Sequence, residues 1–158
     1  MDSSEANILN DMSFCDVYVH AGHGGNESQK SIVSYESGIS LWPTDIMDTQ
    51  YNSLSKMRIY ITCGCFSGAD NDDGMNVVDE IYRRGARFAI GFLPAVNAKA
   101  FGPWLETFSD TVKGGGSILE GLDKASYYKD HNRFGITGEG QGVGDYHIIG
   151  DTSQILTR

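Results

Sequence analysis

Two stretches decide how this chain is read: Val17-Tyr18-Val19-His20-Ala21-Gly22-His23-Gly24, and Ile59-Tyr60-Ile61-Thr62-Cys63-Gly64-Cys65-Phe66-Ser67-Gly68. Each begins as a short β-branched or aromatic run, the mark of a sheet strand, and each ends in glycines around a reactive side chain. A third run, Phe88 to Leu93, is almost wholly apolar up to Pro94, as a strand buried on both faces requires. Between the second and third runs, Val77, Val78, Ile81 and Tyr82 fall on one helical face. Asn76 is placed to cap that helix and Gly85 to stop it. Strands alternating with helices read as an α/β fold with a mostly parallel sheet covered by helices.

Working outward, Ile32 to Tyr35 and Gly38 to Leu41 read as a small hairpin turned at Glu36 to Gly38, with Pro43 blocking any strand beyond Trp42. Pro103 is expected to open a helix carrying Trp104, Leu105, Phe108 and Val112 on one side, and Gly114 to Gly116 to break it. Ser117 and Glu120 form a capping box for a further helix with Ile118, Leu119, Leu122 and Ala125 inward. Asp130 to Gly144 reads as an exposed loop before a last strand, Tyr146 to Ile149.

The 158 residues, 40% apolar and 21% charged, suit one globular domain. Twelve Lys and Arg against 21 Asp and Glu give a net charge of -9, so neither a phosphate-neutralising surface nor a nucleic-acid partner is expected. A cationic partner or substrate fits better. No apolar run approaches the ~18 residues of a membrane span, and the start has no secretory pattern, so no membrane partner and a cytoplasmic location are expected. Three cysteines are too few for a disulfide scaffold.

Ligands of open parallel sheets bind beyond the carboxyl ends of the strands, so adjacent strands would set His23 beside Cys65. A thiol beside an imidazole is the minimum for nucleophilic acyl transfer, the histidine taking the thiol proton and later giving it to the leaving amine. Gly24 offers a backbone N–H to the developing oxyanion with no Cβ in the way, and the N–H of Cys65 is the second donor. The same residues have plainer readings, a buried thiol and a hydrogen-bonded histidine. His20, His23, Cys63 and Cys65 also form a zinc-type donor set, although Cys-x-Cys and His-x-x-His lack the spacing of structural zinc sites. His20 has two readings, a packed or hydrogen-bonded histidine and a support of the site; Cys15 reads as inert, and Trp42 and Trp104 as core or groove lining. Gly138 to Gly144 lacks the pattern of a phosphate-binding loop.

The two quoted blocks resemble the signature of the caspase-like cysteine peptidases, the clan of caspases, metacaspases, clostripain, gingipains, separase and the bacterial CHAT domains. The likeness is nearest to the bacterial members. In that clan an apolar strand ends in His-Gly and another in a cysteine after a small residue, which falls here on His23-Gly24 and on Gly64-Cys65. Arg84-Gly85-Ala86-Arg87-Phe88-Ala89-Ile90-Gly91-Phe92 is similar to a later clan segment, and Trp104 to Ala125 to its following helix pair. The resemblance implies a three-layer caspase-like fold over residues 1–158, with a mostly parallel sheet and helices on both faces. It also implies a cysteine endopeptidase acting on protein or peptide substrates, with Cys65, His23 and Gly24 catalytic and neither cofactor nor metal.

Three departures qualify this. The usual N-terminal strand or strands before the histidine strand are missing, so the chain is expected to be the carboxyl-side portion of a longer protein. Alternatively, another chain, such as a second copy in a homo-oligomer, covers the edge at Val17 to Val19. Arginine-directed relatives place an aspartate two residues before the nucleophile, and that substrate-binding position holds Cys63, which supplies no charge. Asp70, Asp72 and Asp73 are the candidates to replace it, or else a merely solvated loop. The acidic loop lacks calcium-loop spacing, so no calcium is expected. The alternatives to an enzyme are a catalytically inactive interaction module of the same fold, or the Cys/His zinc site.

Overall fold

The computed structural model describes residues 3–26, 28–131, 134–135 and 142–156. It divides into two compact units, Met1–Pro94 with Tyr146–Gly150, and Ala95–Asp145 with Asp151–Arg158.

The first unit opens with helix α1 (Ser3–Met12) and continues through β1 (Val17–His20), β2 (His23–Asn26), β3 (Gln29–Ser34), β4 (Ser40–Leu41) and α2 (Pro43–Met47). Then come β5 (Ile59–Thr62), α3 (Val77–Arg83), β6 (Phe88–Phe92) and β7 (Tyr146–Gly150). The main sheet has the order β1-β5-β6-β7. β1 pairs parallel with β5 and β5 with β6, while β7 runs antiparallel to β6. The fold is therefore α/β with a mostly parallel sheet. The two central strands are buried along their whole length, which explains their uninterrupted apolar runs. β1 is an edge strand whose Val17 and Val19 are 44% and 40% exposed.

A core of Leu9 and Met12 from α1, Val33 and Leu41 from the hairpin, Val77, Val78 and Ile81 from α3, and Tyr60 and Ala89 from the sheet holds this unit together. Asn76 caps α3, its side chain accepting from the Asp79 N–H, and Gly85 ends the helix at φ 112°, where a side chain is disfavoured. The hairpin read at Glu36 to Gly38 is present, closed by Tyr35 N–H to the Ile39 carbonyl. It belongs to a separate three-stranded sheet, β2-β3-β4, which sequence reading did not anticipate. β3 begins at Gln29, which pairs with Asn26 of β2. α1 and the short α2 were likewise not foreseen.

The second unit contains α4 (Ala98–Lys113), α5 (Ile118–Ala125) and a 3-10 turn at Ser126–Lys129. Pro103 does not open α4 but lies inside it, because Asn97 caps the helix upstream by accepting from the Lys99 N–H. Trp104, Phe108 and Val112 are buried as read from their spacing. Trp104 and Phe108 stack at 5.5 Å. The capping box of Ser117 and Glu120 starts α5. Leu119 points outward, against expectation, since Ile118, Leu122 and Ala125 form the inner stripe and Gly121 takes the place against Phe108. Much of the expected loop at 130–144, including residues 136–141, lies outside the described residues. No helix among the described residues is long and apolar enough to cross a membrane.

Asn76→Ala should lower stability by roughly 1 to 2 kcal/mol, the usual range for a lost N-cap. Urea denaturation measures this; an unchanged midpoint would show that α3 does not depend on its cap.

Candidate functional site

β1 and β5 pair with His20 opposite Thr62, so their carboxyl ends are level. Three residues beyond each end stand His23 and Cys65. The register alone carries both tips to the same rim, and the backbone contact there is intimate. A Cβ on Gly24 would lie 2.1 Å from the carbonyl oxygen and 2.5 Å from the nitrogen of Cys65. One on Gly64 would lie 3.0 Å from the Gly24 Cα. The His23-Gly24 and Gly64-Cys65 segments thus touch through bare backbone, an approach that only glycine permits. His23 is exposed and Cys65 half-buried, and no disulfide involves any of the three cysteines.

Behind Cys65 the chain turns sharply. Phe66 adopts φ 56°, a left-handed conformation that non-glycine residues seldom hold without support from their surroundings. The support is visible. Ser67 N–H donates to the Gly64 carbonyl, Phe66 N–H to the Pro94 carbonyl and Gly68 N–H to the Phe92 carbonyl. The buried Ser67 hydroxyl donates to the Thr62 carbonyl and accepts from the Phe92 N–H, both at 3.3 Å. On the other side Ser31, also left-handed at φ 61°, donates its N–H to the Phe66 carbonyl at 2.9 Å and accepts from Val77 N–H through its hydroxyl at 2.6 Å. The Cys65 turn is therefore stitched to β6, β3 and the start of α3. Sequence reading missed Ser31, Ser34, Thr62 and Ser67. Small hydroxyl residues carry no local mark of the backbone groups they will satisfy.

The other residues singled out from sequence fall as follows. Cys63 is buried, which pushes its thiol far above the ordinary range. Asp70 accepts from Asn76 Nδ2 at 2.7 Å and so belongs to the cap of α3. Asp72 and Asp73 are exposed and, with Lys30 and Trp42, line a pocket of about 170 Å³. Trp42 is thus groove lining and Trp104 core. His20 is 6% exposed, its ring engaged by Ser34 and Thr62. Cys15 donates to the Asp11 carbonyl at 3.4 Å. His147 on β7 meets Asp79 of α3 at 2.7 Å, and His131 bonds and stacks on Tyr127. Among the described residues no three His, Cys, Asp or Glu side chains converge as a metal site, so His20, His23, Cys63 and Cys65 do not form the zinc-type set.

The arrangement brings a thiol-bearing turn and an imidazole-bearing strand to one rim, with two peptide N–H groups in the same contact. Such a set is suited to attack on a carbonyl followed by proton transfer. No family model, curated protein or solved structure matches the chain.

Gly24→Ala should force the two tips apart and lower stability by roughly 2 kcal/mol or more, as backbone collisions do. Gly102→Ala, in a helix position with open space around it, should be neutral or stabilising. Thermal melts of the pair check this, and equal melting temperatures would deny the contact. Burial lowers the His20 imidazole below its usual 6.5, so the unfolded chain takes up the proton first. The contribution of His20 to stability is present above about pH 6.5 and shrinks as pH falls below it. Stability measured from pH 7.5 to 5.5 should therefore decline less steeply in His20→Gln than in the parent.

Proposed function

We propose that this chain is a caspase-like domain and a cysteine peptidase. The observation that carries the reading is the backbone contact of His23-Gly24 with Gly64-Cys65, which joins the two quoted motifs at one end of a parallel sheet. Cys65 attacks the scissile carbonyl while His23 accepts the thiol proton. The tetrahedral oxyanion is held by the N–H groups of Gly24 and Cys65. Collapse expels the amine with the proton from His23 and leaves a thioester, which a water activated by His23 hydrolyses. Pre-aimed N–H donors of this kind typically contribute about 3 kcal/mol each to the transition state.

The rest of the molecule is consistent with protein or peptide substrates. The net charge of -9 favours cationic segments, and the pocket lined by Lys30, Trp42, Asp72 and Asp73 offers two carboxylates and an aromatic surface. The exposed edge at Val17 and Val19 is proposed to be covered by a preceding segment or by another copy of the chain, because an open apolar edge invites uncontrolled pairing. The wider sandwich of helices on both sheet faces belongs to the same proposal.

Two variants test the activity. Cys65→Ala should lose both cleavage of denatured casein and labelling by a thiol-directed peptide chloromethyl ketone, while Cys63→Ala should keep both. Equal labelling of Cys65→Ala and the parent would end the assignment. A fully folded parent with no labelling at all would favour an inactive interaction module.

A further inference from the structure

We infer that His20 is a positioning residue of this site: its buried ring ties the hairpin that carries His23 to the strand tip that carries Cys65. The consequence for chemistry rests on the peptidase reading above, whereas the clamp itself is geometric.

Several bonds converge on this residue. Its carbonyl accepts from the Cys63 N–H at 2.8 Å, extending the β1–β5 pairing past the strand ends. Its Nε2 lies 3.1 Å from the Ser34 carbonyl, which can only accept, so Nε2 carries the proton and donates. Nδ1 is then left as an acceptor, 3.4 Å from the Thr62 hydroxyl. That hydroxyl in turn accepts from the Gly64 N–H at 3.4 Å. Donors and acceptors alternate without conflict from Gly64 N–H through Thr62 and the imidazole to Ser34. The two ends of this chain are what give it meaning. Ser34 is the register partner of His23, and Gly64 directly precedes Cys65.

The ring is enclosed. A Cβ on Gly22 would lie 2.7 Å from its Nε2 and 2.9 Å from the Ser34 oxygen, so the chain between His20 and His23 folds tightly over the bond. Tyr35 meets the ring at 4.8 Å in an edge contact. Tyr35 is the titratable neighbour, and burial pushes its phenol far above its ordinary range, so it stays neutral beside the imidazole. An apolar side chain of equal volume would fill the space but remove the ring's bonds to the Ser34 carbonyl and the Thr62 hydroxyl. Such a variant would loosen β2 and β3 from the Cys65 turn. Misplacing reacting groups by about 1 Å can cost on the order of a hundredfold in rate.

The test uses His20→Phe, Thr62→Val and Thr62→Ser in the full chain, with His23→Ala in parallel. Cys65 alkylation by iodoacetamide is followed by peptide mass mapping, and exchange of the Gly64 amide by NMR. Thr62→Val keeps the side-chain shape and so carries the test if His20→Phe fails to fold. Both variants should slow Cys65 alkylation roughly ten- to hundredfold, the scale of a misplaced group, and speed Gly64 exchange. Thr62→Ser, which restores the hydroxyl, should recover parental values of both, a rescue that a packing role alone would not give. Parental alkylation and parental Gly64 exchange in Thr62→Val would overturn the clamp. Equal alkylation of His23→Ala and the parent would instead defeat the peptidase reading, while Gly64 exchange would still report on the clamp.

Discussion

The constraint on which the first unit turns is the absence of side chains between two peptide segments. Gly24 and Gly64 let the tips of β1 and β5 close onto each other until backbone meets backbone. Any Cβ at Gly24 would occupy the space of the Cys65 peptide, so the approach of the His23-Gly24 and Gly64-Cys65 backbones is set by main-chain geometry and not by flexible side chains. Around that contact the structure accepts local cost. Phe66 and Ser31 sit in left-handed conformations, and the hydrogen bonds to Pro94, Phe92 and Val77 hold them there.

The elements that were legible in the sequence are those whose own residues state their environment. β6 is apolar throughout because both its faces are buried, and α3 and α5 announce themselves through Asn76 and the Ser117–Glu120 box. The backbone approach of His23-Gly24 to Gly64-Cys65 was legible for a related reason, since a strand that ends in glycine marks a rim of the sheet where ligands can be reached. Pro103 misled because a proline favours the first turn of a helix in general, whereas here a stronger signal, Asn97, lay upstream. α1 was missed because its buried residues, Leu9 and Met12, are few and most of the segment is polar. The β2–β3 pairing was hidden because His23-Gly24-Gly25-Asn26 carries no strand propensity at all, and backbone partners alone make it a strand.

The supporting hydroxyls were illegible for a further reason. Ser31, Thr62 and Ser67 each satisfy a backbone or ring group that lies elsewhere in the chain, such as Val77 or Phe92, and no spacing rule connects them. Their burial, with none of the three exposed above 0%, shows how much of this rim is organised from beneath. His20 belongs to the same layer. Read in isolation it is a packed histidine, and in its place it joins the β1 tip, the β5 tip and the hairpin.

The central claim is that the Cys65 sulfur and the His23 imidazole face a common space above this contact. 1,3-Dibromoacetone, which bridges a thiol and an imidazole only when both lie within its three-carbon span, tests that directly through mass mapping of the cross-linked peptides. The account predicts a single bridge joining the peptide of Cys65 to that of His23, absent in His23→Ala. Mono-alkylated Cys65 with no bridge, or a bridge to another residue in its place, would contradict it.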